Sequence, residues 1–298
     1  MKPITRILAA TDLSAPARHA VERGFRIAGA TGASCSVLHA LELDVIDNMR
    51  EWLGENLGSV KRKLEEQARE ALAQQLPATA RSVVAEAMTV SGAPLATIIE
   101  RANALDADLL VLGAHGSDFL RHLALGSMAS RLLRKTTRHP VLVVKQVPHE
   151  DYRRLLIPVD FSPVSAQAIR FARQLAPAAD IVLLNAFEAP FEGKLTYAGV
   201  DETVIRRYRE AAREEAWHRM RHLAVQAGLD IGDYTPLVMH GDPSQQIIEQ
   251  EQERDCDLIV MGKHGQHVVE ELLLGSVTKH VLAESQGDVL VICGWRAA

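Results

Sequence analysis

Two stretches of this chain repeat each other in register. Residues 113–127 carry Gly113-x-His115-Gly116, nine further residues, then Gly126-Ser127. Residues 262–276 carry Gly262-x-His264-Gly265, nine residues, then Gly275-Ser276. The offset of 149 residues also joins Gly92-Ala93-Pro94 to Gly241-Asp242-Pro243, Ile98-Ile99-Glu100 to Ile247-Ile248-Glu249, and the Asp106/Asp108 pair to Asp255/Asp257. About 17 of the 44 positions from 90 to 133 recur between 239 and 282 without a gap, where chance gives roughly a tenth or fewer. Further upstream, Asp12-Leu13-Ser14 matches Asp160-Phe161-Ser162, and Val37–Ala40 matches Leu183–Ala186 after a small shift of register. The repeated unit is therefore a whole domain. It divides the chain into residues 1–147 and 151–298, joined by a short polar link that predicts packed domains instead of swinging ones.

Each copy alternates apolar runs with amphipathic ones. In the first, strands are expected at 7–10, 36–41, 82–90, 109–113 and 141–144. Helices are expected at 15–28, 60–75, 94–104 and 127–136. The second copy follows the same order and ends on a strand at 289–292. Ser14 stands as an N-cap, and Ser162-Pro163 combines an N-cap with proline at the first helical position. Strands separated by helices run parallel with right-handed crossovers. All-apolar strands such as Leu109–Leu112 suit a sheet covered on both faces. The predicted architecture is α/β: two tandem, doubly wound, open parallel five-stranded sheets of strand order 3-2-1-4-5. A ligand site belongs at the carboxyl ends of the first and fourth strands, where the winding reverses. The apolar last strands, 141–144 and 289–292, are exposed edges that seek partners. They are expected to pair as an internal pseudo-dimer, and two chains could associate further as a homodimer.

Composition narrows the function classes. Hydrophobic residues make up 47% and charged residues 24%, with a net charge of -5. That is ordinary for a globular protein and lacks the basic excess of a nucleic-acid binder. No run approaches the roughly 18 apolar residues of a membrane span, and the N-terminus has no signal-peptide layout. Cys35, Cys256 and Cys293 form no C-x-x-C pair and no even disulfide set, as expected of a cytoplasmic chain. The 12 histidines are scattered, so no metal site is expected.

The repeated glycines point to chemistry. Gly113 and Gly116, with Gly262 and Gly265, let backbone turn sharply against a ligand. Gly126-Ser127 and Gly275-Ser276 then open a helix whose free N–H groups, dipole and hydroxyl favour a phosphate. Tight turns and close packing would also account for one such loop; two copies at equal spacing favour the ligand. Neither loop is a Walker A sequence. Asp12 and Asp160 end the first strands. They can accept hydrogen bonds from a ribose or an adenine in the crevice, or support the next helix N-terminus. His115 and His264 sit inside the loops, within reach of phosphate or solvated. Lys263 replaces Ala114 and would add a cation near the phosphates of the second copy, or lie on the surface. No nucleophile–base–acid set is repeated, so no catalytic residue is assigned. Asp106/Asp108 and Asp255/Asp257 precede the fourth strand, at the far end of the sheet, and read as turn residues.

On the G-x-x-G-x9-G-S motif, the Asp-x-Ser strand ends, the G-x-P segments and the closing Pro140–Val144 strand, the chain resembles the universal stress protein family in its tandem two-domain form. The resemblance implies ATP, with or without Mg, as ligand. It places Asp12, the Ala40 backbone, Gly113, Gly116, Gly126, Ser127 and the Met128 backbone around the nucleotide of the first copy. In the second copy it places Asp160, Ala186, Gly262, Gly265, Gly275, Ser276 and Val277. Pro158, where the first copy has Ala10, agrees better with the family, and Met128 departs from it. The second copy is therefore expected to be the better ATP site. The expected role is a stress-response protein that binds an adenine nucleotide as a regulatory ligand, with at most slow hydrolysis. A nucleotide-independent protein scaffold is the alternative. An adenylating ligase is less favoured, because the S-G-G-x-D-S loop is absent after the first strand.

Overall fold

The computed structural model describes residues 2–43, 46, 56–77, 83, 85–116, 125–188, 194, 197–265 and 273–293. The chain separates into two compact units, Lys2–Asp151 and Tyr152–Gly294. The first runs β1 (Arg6–Thr11), α1 (Ala15–Thr31), β2 (Ser34–Leu41), α2 (Leu57–Gln75), β3 (Ala85–Ser91), α3 (Pro94–Ala104), β4 (Leu109–Gly113), α4 (Ser127–Lys135) and β5 (Val141–Val144). The second runs β6 (Arg154–Pro158), α5 (Pro163–Leu175), β7 (Asp180–Phe187), α6 (Glu202–Gln226), β8 (Tyr234–His240), α7 (Pro243–Glu253), β9 (Leu258–Gly262), α8 (Ser276–Glu284) and β10 (Asp288–Ile292).

Within the first unit the strand order is β3-β2-β1-β4-β5, and within the second β8-β7-β6-β9-β10. Every pair in each unit is parallel. The expected 3-2-1-4-5 winding is present twice. Central strands are buried on both faces: Leu109–Leu112 and Leu258–Met261 are all buried, as their unbroken apolar runs require. The chain winds outward from β1 to β3 and returns on the other side for β4. The carboxyl ends of β1 and β4 therefore diverge and leave a crevice.

Local chemistry explains the repeats that lie away from that crevice. Gly92 and Gly241 have φ of 150° and 132°, which only glycine adopts freely, and Pro94 and Pro243 follow at the helix start. Asp108 Oδ2 accepts from Thr5 N (2.9 Å), Thr5 Oγ1 (2.8 Å) and Arg6 N (3.0 Å). Asp257 accepts from Arg153 N (2.7 Å) and Arg154 N (3.1 Å). Each carboxylate thus ties the start of the fourth strand to the start of the first. Asp106 and Asp255 occupy the left-handed region at φ 47° and 50°. Both pairs are turn residues at the far end of the sheet.

Some boundaries differ from the sequence reading. Helix α1 runs on to Thr31 and stops at Gly32 in a left-handed cap. β2 begins at Ser34 because burial of Cys35 extends the core pattern. β3 begins at Ala85, and residues 82 and 84 of its expected start lie outside the described residues. Ser14 caps α1 by accepting from Ala17 N, whereas the Ser162 side chain makes no cap bond to α5. Its hydroxyl lies instead 3.5 Å from that of Ser165. Where the first copy has Pro140 before its last strand, the second has a fully buried Asp288, which accepts from the Tyr152 hydroxyl at 2.6 Å. Glu251 Oε1 holds the preceding turn through Gln286 N and Gly287 N.

His139 is 3% exposed. Its Nδ1 donates to the Ala107 carbonyl at 2.8 Å, and its Nε2 lies 2.9 Å from the Asn103 carboxamide. Burial holds its pKa below the ordinary 6.5. The unfolded chain therefore binds the proton more readily than the folded one. The stability that His139 contributes is complete above pH 6.5. It declines as the pH falls below 6.5 toward the lowered folded value. Urea midpoints at pH 7.5 and 5.5 are expected to drop more for the natural chain than for His139→Gln.

Candidate functional site

The Asp-x-Ser turn that follows the first strand has the same geometry in both units. Asp12 Oδ1 accepts from Ser14 N at 3.0 Å, and Asp160 Oδ1 from Ser162 N at 3.0 Å. The residue between them is forced into the left-handed region: Leu13 at φ 67° and Phe161 at φ 64°. Bulky side chains avoid that region, so the surroundings hold them there. A side chain from the helix after the second strand provides the hold in each unit. Gln75 of α2 donates to the Leu13 carbonyl at 2.7 Å, and Thr11 Oγ1 accepts from Leu13 N at 3.0 Å. In the second unit the Arg219 guanidinium of α6 lies 4.3 Å from the centre of the Phe161 ring. The left-handed residue and its clamp were not legible in the sequence; the recurrence of Asp-x-Ser was the only signal.

Facing this turn is the Gly loop, described up to Gly116 and Gly265 and again from Leu125 and Leu273. A Cβ on Gly116 would stand 2.6 Å from Asp12 Oδ2, and one on Gly265 would stand 3.2 Å from Asp160 Oδ2. The carboxylate therefore packs into the space that a side chain would take. Gly126 N and Gly275 N donate back to the carbonyls of Ala114 (2.8 Å) and Lys263 (3.1 Å). A Cβ on Gly126 would lie 2.8 Å from the Ala114 oxygen, and one on Gly275 would lie 3.3 Å from the Lys263 oxygen. Neither glycine caps its helix with a side chain. The first-turn N–H groups of α4 and α8 thus lack an intrahelical partner and a cap, at the positive end of the helix dipole.

In the second unit these parts line a cavity of about 280 Å³, near the low end of the roughly 300–1,000 Å³ typical of small-molecule sites. Pro158, Asp160, Ala186, Gly262, His264, Gly265, Gly275, Ser276 and Val277 all border it, so the sequence-selected residues of that copy meet at one place. Lys263 is the exception: it lies neither on the surface, being 2% exposed, nor among the lining residues. Lys263 follows β9 directly, beside the last strand, where its N–H donates to the Ile292 carbonyl. In the first unit Asp12, His115, Gly113, Gly116, Gly126, Ser127 and Met128 occupy the corresponding positions of the turn, the loop and the α4 start. Ala40 is next to the last residue of β2, as Ala186 is of β7.

The cavity also holds residues that motif reading missed. Ser165 Oγ donates to Asp160 Oδ1 at 2.7 Å. Thr278 Oγ1 donates to the Gly262 carbonyl at 3.0 Å. Asn185 Nδ2 donates to the Val159 carbonyl at 2.7 Å. Their counterparts in the first copy are Ala17, Ala129 and His39, so the comparison of copies that revealed the repeat hid them. Asp160 is the one carboxylate among the described lining residues. The cysteines lie elsewhere, with burial pushing the thiols up to about 12 (Cys35) and about 11 (Cys256 and Cys293). Among the described residues no group of His, Cys, Asp and Glu could hold a metal, and no helix is long and apolar enough to cross a membrane.

A sequence profile now decides the relationship, matching residues 3–145 and again 151–292. The chain belongs to the universal stress protein family. It is a tandem member, with one family domain in each half, and the family is one of stress-response proteins. A universal stress protein of Methanocaldococcus jannaschii is 28% identical over 156 residues, covering 47% of this chain and 94% of its own. One of Mycobacterium tuberculosis is 26% identical over 229 residues, covering 74% and 72%. Among solved structures, a universal stress protein from Archaeoglobus fulgidus matches 96% of this chain and 97% of its own with a TM-score of 0.61 at 20% identity, a likeness of fold.

The glycine geometry predicts unequal tolerance within this universal stress protein. Gly126→Ala forces a methyl against a backbone oxygen and should destabilise by about 1–3 kcal/mol. Gly275→Ala, with more room, should cost less. Urea unfolding of the two variants measures the difference.

Proposed function

We propose that the cavity of the second unit binds an adenine nucleotide, ATP in the first instance, as a regulatory ligand. The observation that carries this reading is the pairing of two unlike ends in one cavity. At one end the α8 start offers N–H groups with no capping side chain, which suits phosphate. At the other, Asp160, Asn185 and Ala186 at the ends of β6 and β7 offer polar groups beside apolar Ile247 and Met261, which suits a nucleoside. The glycines fit the same purpose: side chains on Gly265 and Gly275 would crowd the carboxylate and the loop backbone and narrow the approach to the helix start.

Asn185, Gly262, Gly265, Gly275, Ser276 and Val277 would hold the nucleotide, and the phosphates would supply most of the ligands to any Mg. Asp160 Oδ1 accepts from the Ser162 N–H and the Ser165 hydroxyl, which holds the carboxylate in place beside the ligand. With Asp160 the one carboxylate among the described lining residues, the reading is of a bound signal, with hydrolysis at most slow. The corresponding turn and loop of the first unit form a second, weaker site on this reading.

ATP at 100 times its Kd should stabilise the fold by about 2.7 kcal/mol, read as a rise in melting temperature. Gly275→Val should remove most of that rise. If neither ATP nor AMP at millimolar concentration moves the melting temperature of the natural chain, the reading fails.

A further inference from the structure

Helix α6 carries a row of cations along one side. Arg206, Arg209 and Arg213 stand three and four residues apart, the spacing of a single helix face. They line another cavity of the second unit, of about 350 Å³. Like charges one turn apart, as at Arg209 and Arg213, weaken a helix. Glu210 is the one carboxylate among the described lining residues, and Glu202 lies 3.8 Å from the Arg209 guanidinium. The facing wall is of another kind. Phe187 and His240 end β7 and β8 and pair across them, with ring centroids 5.4 Å apart and planes at 66°. Val238 and Met239 continue that wall. The Gly241 N–H donates to the Phe187 carbonyl at 3.0 Å, which ties the two strand ends together. This cavity shares no lining residue with the one around Asp160. Ala186 borders one and Phe187 the other, and consecutive strand residues point to opposite faces of a sheet.

The first unit shows what this helix face needs for folding alone. Gln75 and Arg219 clamp the same turn and stand 144 residues apart. At that offset Arg62-x-x-Glu65-Glu66-x-x-Arg69 of α2 matches Arg206-x-x-Arg209-Glu210-x-x-Arg213 of α6. Of these four positions one differs in charge. Two arginines balance two carboxylates in the first unit, and Glu65 accepts from Ser91 Oγ at the end of β3 at 3.2 Å. In the second unit Arg209 stands in place of Glu65 and His240 in place of Ser91, so three arginines stand against one carboxylate. A guanidinium brings donors and no acceptor. Arg209 therefore cannot answer the strand end as Glu65 does, and the helix face turns from balanced to anion-seeking.

We propose that this cavity binds a small phosphate monoester with an apolar body, separately from any nucleotide held near Asp160. The phosphate would lie on the row of Arg206, Arg209 and Arg213, and the body against Phe187, Val238 and Met239. Guanidinium forks pair with phosphate oxygens two at a time and are less strongly hydrated than an ammonium. Three of them along about 10 Å of helix can converge on one dianion. The apolar wall adds contact that a bare phosphate cannot use.

Methyl NMR of the full chain reads the two cavities separately, because Met239 lines this one and Met261 the other. Phenyl phosphate is the probe, and phenol and inorganic phosphate supply its two halves. Phenyl phosphate should shift the Met239 methyl saturably, at a midpoint about tenfold lower than either half. Arg209→Glu, which gives α6 the charge pattern of α2, should raise that midpoint about tenfold or more. Arg207→Glu makes the same change of net charge outside the lining residues and should leave the midpoint near that of the natural chain. An unmoved Met239, a Met239 shift that only follows Met261 at one shared midpoint, or a midpoint matched by phenol or phosphate alone would overturn the site. Equal weakening by Arg207→Glu and Arg209→Glu would overturn the arginine row. The comparison of the three probes on the natural chain decides the matter even if Arg209→Glu fails to fold.

Discussion

In both units a carboxylate at the end of the first strand occupies the space where the loop glycine lacks a side chain: Asp12 against Gly116 and Asp160 against Gly265. The crevice depends on this contact. The carboxylate bonds the N–H two residues on, which bends the chain into α1 or α5 through a left-handed Leu13 or Phe161. A side chain at Gly116 would have to displace the Asp12 carboxylate, and one at Gly265 would shift that of Asp160 by a few tenths of an ångström. The loop and the turn therefore constrain each other across β1 and β4, or β6 and β9. The helix that follows the loop starts where its N–H groups overlook the space between them.

That dependence explains what could be read from the sequence. Register between copies revealed the glycines, the two aspartates and the strand order, because a backbone position that tolerates only one residue repeats that residue in both copies. Asp108 and Asp257 were legible as turn residues for the same reason: each accepts backbone N–H groups that any first strand presents. What stayed hidden is carried by side chains that differ between copies. Gln75 and Arg219 clamp the same turn, one by a hydrogen bond and the other by a cation over a ring; no alignment of residue types would pair them. Lys263 stands where the first copy has Ala114, so register says nothing of its surroundings. A lysine beside a glycine loop looks like a phosphate ligand, yet its place just after β9, beside the last strand, keeps it under cover.

The same logic separates the two crevices. The second has hydroxyls where the first has methyls: Ser165 for Ala17 and Thr278 for Ala129. Each bonds a fixed group, the Asp160 carboxylate or the Gly262 carbonyl. Added bonds of this kind stiffen the frame without adding a group that reacts, because both hydroxyls donate their proton to the frame. The second crevice is thereby held by side-chain bonds that the first lacks at the same positions.

His39 and Asn185 show where divergence was permitted. The bond to the end of the first strand is kept in both units, since losing it would leave a buried carbonyl of Thr11 or Val159 short of a partner. The remaining atom has no such duty to the fold, and there the residue type changed. An imidazole nitrogen accepts only while the ring is neutral, whereas a carboxamide oxygen accepts at any pH. The difference in residue type leaves the frame intact. Duplication thus left the two copies free to differ in residue type where the fold dictates only the bond to the end of the first strand.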